Sequence, residues 1–351
     1  MPSLNDILGQ GRAVQVLRSC IASGRLHHAW VFYGPKGVGK GTTAQAFGAT
    51  LLEPGLAPNL AGELEPDPDS HTQRMIAAGT HPDLRIVRKE LAEYSSDVRV
   101  RNSKQKFIPL DVIKEHVVRP AQLGKTAGHG ALASRVFIIE EAHLMAHEGA
   151  NALLKVLEEP APGVTIILLT DRESHLPPTI RSRCQRVAFA PLDDEAMRAW
   201  YTRSGLGLAP DHRDWVLAFA QGSPGEALRA HEAGLYDWAK TLQPLLDRME
   251  QGAFPAELGG TMTKLVEGWA NEWVKAHPNA SKEAANKDGV RMLMALFASW
   301  ARRRLHEARN APERIHRVRA IDLVFETESA IDRNVNIGIA MDNFAAQLAR
   351  R

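Results

Sequence analysis

The chain has 351 residues, enough for two or three domains that each bury a core. Its 44% hydrophobic and 24% charged residues are ordinary for a globular protein, and a net charge of +2 gives no strong attraction to nucleic acid or to membranes. The two cysteines, Cys20 and Cys184, exclude a disulfide framework and a cysteine-rich zinc site. No apolar run has transmembrane length and residues 1–10 lack signal-peptide character, so we expect a cytoplasmic protein with no membrane partner.

The first informative segment predicts a phosphate-binding loop. The apolar run from Ala29 to Tyr33 is typical of a buried strand, and helix-forming residues follow the glycine-rich turn after it. Residues 34–40 match the first seven positions of the pattern G-x-x-x-x-G-K-[S/T]. Glycines let backbone N–H groups form a concave anion nest, and the lysine would reach the outer phosphates. The predicted phosphate ligands are Gly34, Gly37, Gly39 and Lys40.

The last position of the pattern departs from it. A Ser or Thr hydroxyl should hold the magnesium ion there, and this chain has Gly41. Thr42 comes one residue late and on a helix would point about 100° away. A chance glycine-rich turn is disfavoured because a strand and a helix flank the loop as the motif requires. The loop therefore predicts a nucleotide-binding fold but not, by itself, hydrolysis.

A second strand ends in acids that suit a nucleotide site. The apolar run from Val136 to Ile139 is followed directly by Glu140 and Glu141. In nucleotide hydrolases this place holds an Asp for magnesium and then a Glu that activates water, so Glu140 stands in the Asp position. A further apolar run, residues 164–169, leads to Thr170, another candidate nucleotide ligand. Alternation of such strands with helices predicts an α/β fold with a parallel sheet covered on both faces.

From Pro191 onward, helical periodicity replaces the strand-like runs. We therefore predict a nucleotide-loop α/β domain over 1–190, a small helical lid over 191–235 and an all-α domain over 236–351. The proline-rich stretch over 53–69 is interpreted as a loop or an extended excursion outside the core. The basic cluster over 99–106 is interpreted as a solvated loop, with a phosphate contact as the alternative.

Taken together, these features resemble the AAA+ clamp-loader family. The residues that carry the resemblance are 34–40, the triplet His81-Pro82-Asp83, 136–142, 151–155, the segment Leu157-Glu158-Glu159-Pro160, and 179–184. The resemblance covers residues 1 to about 235, and beyond that it depends on helical pattern alone. It implies an AAA+ fold with a P-loop and a lid, and a C-terminal helical collar for oligomerisation, although the helices could also form a lone bundle.

The family resemblance also gives Arg183 a role. In the family, the arginine of the Ser182-Arg183-Cys184 trio reaches the nucleotide of the neighbouring subunit, so Arg183 would act in trans as an arginine finger. An arginine supplied from outside neutralises charge that develops around the γ-phosphate during hydrolysis. An ion-paired surface arginine is the structural alternative, more plausible for Arg181 than for Arg183.

Departures from the family pattern favour a non-hydrolysing member. An active subunit would have a hydroxyl where Gly41 stands, an Asp where Glu140 stands, and an arginine where Gly225 stands in the turn before a lid helix. The family commonly carries four zinc-binding cysteines in the region that here spans 53–79, and this chain has none there. We therefore expect no required cofactor, at most weak binding of ATP and magnesium, and no zinc.

The expected function is that of a stator-like subunit of the DNA polymerase III clamp loader without intrinsic ATPase activity. The resemblance implies gamma/tau ATPase subunits and a delta subunit as partners, and contact with the sliding clamp and primed DNA through the complex. Two alternatives stay open. One is an active clamp-loader ATPase in which Thr42 and Glu140 replace the usual magnesium ligands, and the other is an AAA+ adaptor outside replication.

Overall fold

The structure, a computed structural model, describes residues 3–59, 62–95, 97–101, 107–123, 130–277, 281–308 and 310–350. The chain forms two compact units: Met1–Leu206 with Gly222–Gly225, and Gly207–Gln221 with Glu226–Arg351. The division into three domains, 1–190, 191–235 and 236–351, stays a prediction, since these two units do not test it.

A five-stranded parallel sheet forms the centre of the first unit, with the strand order β4-β5-β6-β1-β7. A separate antiparallel pair, β2 and β3, lies outside it. The strands are β1 (Ala29–Tyr33), β2 (Ala57–Pro58), β3 (Leu64–Glu65), β4 (Leu84–Val87), β5 (Arg135–Ile139), β6 (Val164–Thr170) and β7 (Gln185–Ala188). Every residue of β5 and β6 is buried, which requires cover on both faces of the sheet. The predicted α/β fold with a covered parallel sheet is confirmed.

Helices of the first unit follow the strands in turn. They are α1 (Gly11–Ser23), α2 (Lys40–Leu52), α3 (His71–Ala77), α4 (Val98–Arg101), α5 (Leu110–Ile113), α6 (Arg119–Gln122), α7 (His147–Glu158), α8 (Pro178–Arg181) and α9 (Asp194–Ser204). A π-helical segment, Lys114–Val118, joins α5 to α6. Short 3-10 helices cover Leu4–Asp6, Lys89–Tyr94, Ala142–Leu144 and Glu173–His175. Helix α2 is almost entirely buried, so the glycine loop that precedes it is joined directly to a core element.

The stretch over 53–79, predicted as a loop through residue 69, contains the β2–β3 pair and then α3. A buried carboxylate holds this region together: Glu53 accepts hydrogen bonds from Ser70 Oγ at 2.6 Å and from Gln73 Nε2 at 3.1 Å. Within the described ranges, no group of three or more His, Cys, Asp or Glu side chains is placed to hold a metal ion. The Glu53 hydrogen bonds thus join the start of this stretch to helix α3 and to the residue before it.

The second unit is helical throughout its described part. Its helices are α10 (Pro210–Ala220), α11 (Pro224–Glu232, of which the first two residues belong to the first unit), α12 (Leu235–Glu250), α13 (Leu258–Ala276), α14 (Lys282–Glu307), α15 (Ala311–Asp332) and α16 (Ile337–Leu348). Its core includes Trp238, Met262, Leu293 and Phe344. None of the helices in the described part of the chain is long and apolar enough to cross a membrane.

Candidate nucleotide site and arginine finger

The loop between β1 and α2 has the backbone of a phosphate cradle. Gly34, Gly37 and Gly39 have φ values of 144°, 75° and 101°, which side chains rarely allow. A Cβ on Gly34 would also lie 2.1 Å from the Phe189 carbonyl oxygen, so only glycine fits there. The glycines thus allow the tight turn that leads from β1 into α2.

Lys40 is turned back onto the loop that it follows. Its residue is 9% exposed, and its Nζ donates to the Gly34 carbonyl oxygen at 2.6 Å and to the Pro35 carbonyl oxygen at 2.5 Å. Burial lowers the pKa of Lys40 to about 8, while Asp171 raises it and Lys36 lowers it further. Near pH 7 the ammonium group is therefore still mainly protonated, but a bound phosphate would have to replace two carbonyl partners.

The position after Lys40 offers no hydroxyl group to a metal ion. Gly41 has open space around its missing Cβ, where Leu169 Cδ1 is the nearest atom at 3.9 Å. Thr42 is exposed, whereas the hydroxyl of Thr43 is buried and donates to the Gly39 carbonyl oxygen at 2.9 Å. The magnesium ligand of the common pattern is thus missing although there is room for it.

Both acids that end β5 are ion-paired within the chain. Glu140 forms a two-point contact with Arg88, with Nε–Oε2 and Nη2–Oε1 distances of 2.8 and 3.1 Å. Glu141, in the left-handed backbone region at φ 46°, lies 3.1 Å from Lys89 Nζ. Two basic side chains therefore neutralise the two carboxylates that the sequence predicts as metal ligand and catalytic base.

The register of the sheet explains this pairing. Strand β4 lies parallel beside β5, with Val87 opposite Ile139, so the two residues after β4 meet the two residues after β5. Sequence reasoning did not identify Arg88 and Lys89 as part of the site. The available signal was a pair of basic residues directly after one strand and a pair of acids directly after another.

Thr170 ends β6 next to the loop strand, where its partner in the sheet is Tyr33. It is 1% exposed, its hydroxyl lies 3.1 Å from His143 Nδ1, and it accepts a hydrogen bond from the Arg172 backbone N–H at 3.0 Å. His143 Nε2 is 3.3 Å from Asp171, and burial lowers the pKa of His143 more than this carboxylate raises it. Thr170 is thus positioned at the site but engaged with protein partners.

A turn from later in the chain is attached to the phosphate loop. Ser223 Oγ donates to the Lys36 carbonyl oxygen at 2.9 Å, and the Gly225 N–H donates to the Gly37 carbonyl oxygen at 2.9 Å. A Cβ on Gly225 would lie only 2.7 Å from Gly37 Cα. In this arrangement the family arginine does not fit at position 225, which is a packing reason for the glycine there.

Arg183 lies near the amino ends of the strands, opposite the end that carries the phosphate loop. Gly34, Glu140 and Thr170 are at the carboxyl ends of adjacent strands, whereas Arg183 comes two residues before the amino end of β7. Because β7 runs parallel to β1, with Gln185 opposite Trp30, the four residues of the strand separate the two edges by roughly 13 Å. The structure therefore brings the loop, the acids and Thr170 together and leaves Arg183 apart from them.

Arg183 is held on its own chain by two contacts. Its Nη1 donates to the Thr179 carbonyl oxygen at 2.9 Å, and its Nη2 lies 2.8 Å from Glu158 Oε1. The Arg183 side chain is 37% exposed and that of Glu158 is 50% exposed. The guanidinium group thus remains accessible from outside, but it is ion-paired, which is the structural alternative that the sequence made less plausible for Arg183 than for Arg181.

The fold and this site define a P-loop α/β protein followed by a helical region. A family model described as "DNA polymerase III, delta subunit" matches residues 9–193, which are 185 of the 351 residues. The chain therefore belongs to this DNA polymerase III, delta subunit family. The predicted resemblance to the clamp-loader family is confirmed.

Relatives agree with this assignment. The chain is 33% identical to DNA polymerase III subunit delta' of Pseudomonas aeruginosa over 59% of this chain and 57% of the relative. It is 30% identical to subunit delta' of Bacillus subtilis over 54% of this chain and 50% of that protein, and 31% identical to subunit tau of Escherichia coli over 55% and 26%. The match thus spans about half the length of the two delta' relatives.

Among solved structures, a DNA polymerase III gamma subunit-related protein from Thermotoga maritima is 17% identical to this chain. The alignment covers 95% of this chain and 99% of that one, with a TM-score of 0.46.

Proposed function

We propose that this chain is a non-hydrolysing subunit of the DNA polymerase III clamp loader, of the delta-prime type, that supplies Arg183 to the nucleotide site of a neighbouring ATPase subunit. The complex would then place the sliding clamp on primed DNA. The gamma/tau subunits and a delta subunit would be its direct partners, in the cytoplasm. Delta' and tau relatives support a clamp-loader setting.

The observation that carries this proposal is that the phosphate loop and Arg183 lie at opposite ends of the strands of the sheet. The edge with the phosphate loop lacks the hydroxyl ligand at Gly41, and its two acids are neutralised by Arg88 and Lys89. The opposite end of the strands presents a partly exposed Arg183, separated from its own loop by at least the length of β7, roughly 13 Å. Such a geometry suits an arginine that serves another chain and a loop that does not hydrolyse.

We further propose that the loop binds ATP at most weakly and that the chain requires no cofactor and no zinc. A triphosphate would have to displace Lys40 from the Gly34 and Pro35 carbonyl groups. It would also meet a loop whose Lys36 and Gly37 carbonyl groups are bonded to the later turn. Calorimetry should give no more than a small heat at millimolar ATP, lost in Lys40→Ala. Micromolar affinity would contradict this part of the proposal.

The test of the proposed function is Arg183→Ala in the reconstituted complex with its ATPase and delta subunits. Arginine fingers contribute about 10³–10⁵ in rate in other systems, so the neighbouring site should lose nearly all its turnover. The ATPase rate of the complex, measured with clamp and primed DNA, should therefore fall while assembly on size exclusion is unchanged. Arg186→Ala, an exposed arginine three residues away that pairs with Glu173, is the matched control and should keep the rate.

An unchanged ATPase rate in an assembled Arg183→Ala complex would remove the trans-finger role. The rival function is an active ATPase that uses Thr42 and Glu140 for magnesium. It predicts turnover by the chain alone and is distinguished by that measurement.

A further inference from the structure

The contact of Arg183 with Glu158 joins two segments that the sequence keeps 25 residues apart. Glu158 is the last residue of α7, and Arg183 comes two residues after the end of the short α8. The Nη2–Oε1 distance of 2.8 Å is that of a charge-assisted hydrogen bond. Arg183, which we propose acts on a neighbouring subunit, is thus held by a carboxylate of its own chain.

The end of α7 is a favourable resting place for a guanidinium group. A helix C-terminus carries partial negative charge, which favours a cation and disfavours a carboxylate such as Glu158. Arg183 therefore relieves the repulsion of Glu158 by the helix end. Its second contact, to the Thr179 carbonyl oxygen, orients the side chain without adding a charge.

We propose that Glu158 holds Arg183 in a resting position and releases it when the terminal phosphate of a nucleotide on the neighbouring subunit takes its place. This inference rests on the proposed trans-finger function. Both side chains are between a third and a half exposed, so the pair is weak and can be exchanged. A phosphate carries more charge than a carboxylate and presents three acceptor oxygens to the planar guanidinium fork, so it is the stronger partner.

Glu158 is thus a positioning residue that acts through Arg183. Removing its charge should make the finger easier to engage, because the ion pair no longer competes with the phosphate. An exposed pair of this kind corresponds to about 1.5- to 5-fold in an equilibrium or rate. The effect should weaken as salt rises, because exposed charges are screened.

The experiment uses the complete chain in the reconstituted complex, with kcat/KM for ATP as the readout. Glu158→Gln should raise kcat/KM about 1.5- to 5-fold at low salt, with a smaller rise at 0.3 M salt. Glu159→Gln is the matched control: it is the neighbouring exposed carboxylate, and its side chain has no ion pair or hydrogen bond among the described residues. It should leave kcat/KM unchanged. In an Arg183→Ala background, Glu158→Gln should have no effect.

Each outcome separates this inference from the proposed function. If Arg183→Ala lowers the rate but Glu158→Gln does not raise it, the resting-position role is wrong and the finger role stands. A rise that persists without Arg183 would also overturn the inference, since Glu158 would then act by another route. If Arg183→Ala has no effect, the proposed function itself fails. Size exclusion of each variant complex establishes that assembly is intact.

Discussion

The pairing of Arg88 with Glu140 and of Lys89 with Glu141 leads to a direct prediction about metal binding. A divalent ion at the two acids must first break both ion pairs, which are partly exposed, with side-chain exposures between 28% and 50%. Exposed pairs are worth about 0.2–1 kcal/mol each, so the two together oppose metal binding by about 0.4–2 kcal/mol. Arg88→Ala/Lys89→Ala should therefore tighten Mn²⁺ binding by about 2- to 30-fold.

The assay is a titration with Mn²⁺ as a probe for magnesium, followed by electron paramagnetic resonance at low ionic strength. Arg99→Ala/Arg101→Ala is the control, because it removes the same two charges from the neighbouring helix α4, where Arg99 pairs with Asp97. The control should change the Mn²⁺ dissociation constant much less. Equal changes in the two double variants would refute the idea that Arg88 and Lys89 specifically neutralise the acids.

Two further predictions concern the phosphate loop. Gly225→Ala places a Cβ about 2.7 Å from Gly37 Cα, so thermal denaturation should show a loss of about 1–3 kcal/mol in unfolding free energy. The control Gly11→Ala, whose Cβ would have open space, should show no such loss. Equal melting temperatures of the two variants would contradict the packing argument. Burial lowers the pKa of Lys40 from 10.5 to about 8, so between these values the unfolded chain binds more protons and the contribution of Lys40 to stability rises with pH. From pH 7.5 to pH 10 the wild type should therefore gain unfolding free energy relative to Lys40→Met. A difference that stays constant with pH would show that the pKa of Lys40 is not lowered.

The strands could be predicted from the sequence because a parallel strand buried on both faces is a continuous apolar run. Residues 29–33 and 136–139 are such runs, residues 164–169 are apolar apart from Thr165, and each of the three lies within a strand. The helix α3 was missed because only Gln73 and Ile76 are buried in it, which leaves no apolar period to detect. Within the basic cluster over 99–106, Arg99 and Arg101 lie on α4, whereas Lys104 and Lys106 lie outside the described residues.

The faces of the C-terminal helices were harder to predict. In α15 the apolar residues Ile315, Val318 and Phe325 are exposed, although Val324 next to Phe325 is buried. The side chains of α15 that are buried instead include Leu323 and Ile331. A helix with apolar residues on two sides has no single period, so neighbouring helices decide which side is covered.

Some features of the candidate site could also be predicted from the sequence, and others could not. The glycine loop, the missing hydroxyl and the altered position at Gly225 can be read from local motifs, since each depends on residues close in sequence. The pairing of Arg88 with Glu140 depends on which strands are neighbours in the sheet, and the pairing of Glu158 with Arg183 depends on how α7 packs beside α8. Sequence alone does not give the order of the strands or the contacts between helices.

The most direct test of the central claim is ATP turnover by the purified chain with magnesium, with and without primed DNA. We predict no turnover above background in either condition, because Gly41 offers no metal ligand and both acids are ion-paired. Clear turnover that disappears in Lys40→Ala would contradict the account, since the chain would then be an ATPase that tolerates Gly41 and Glu140.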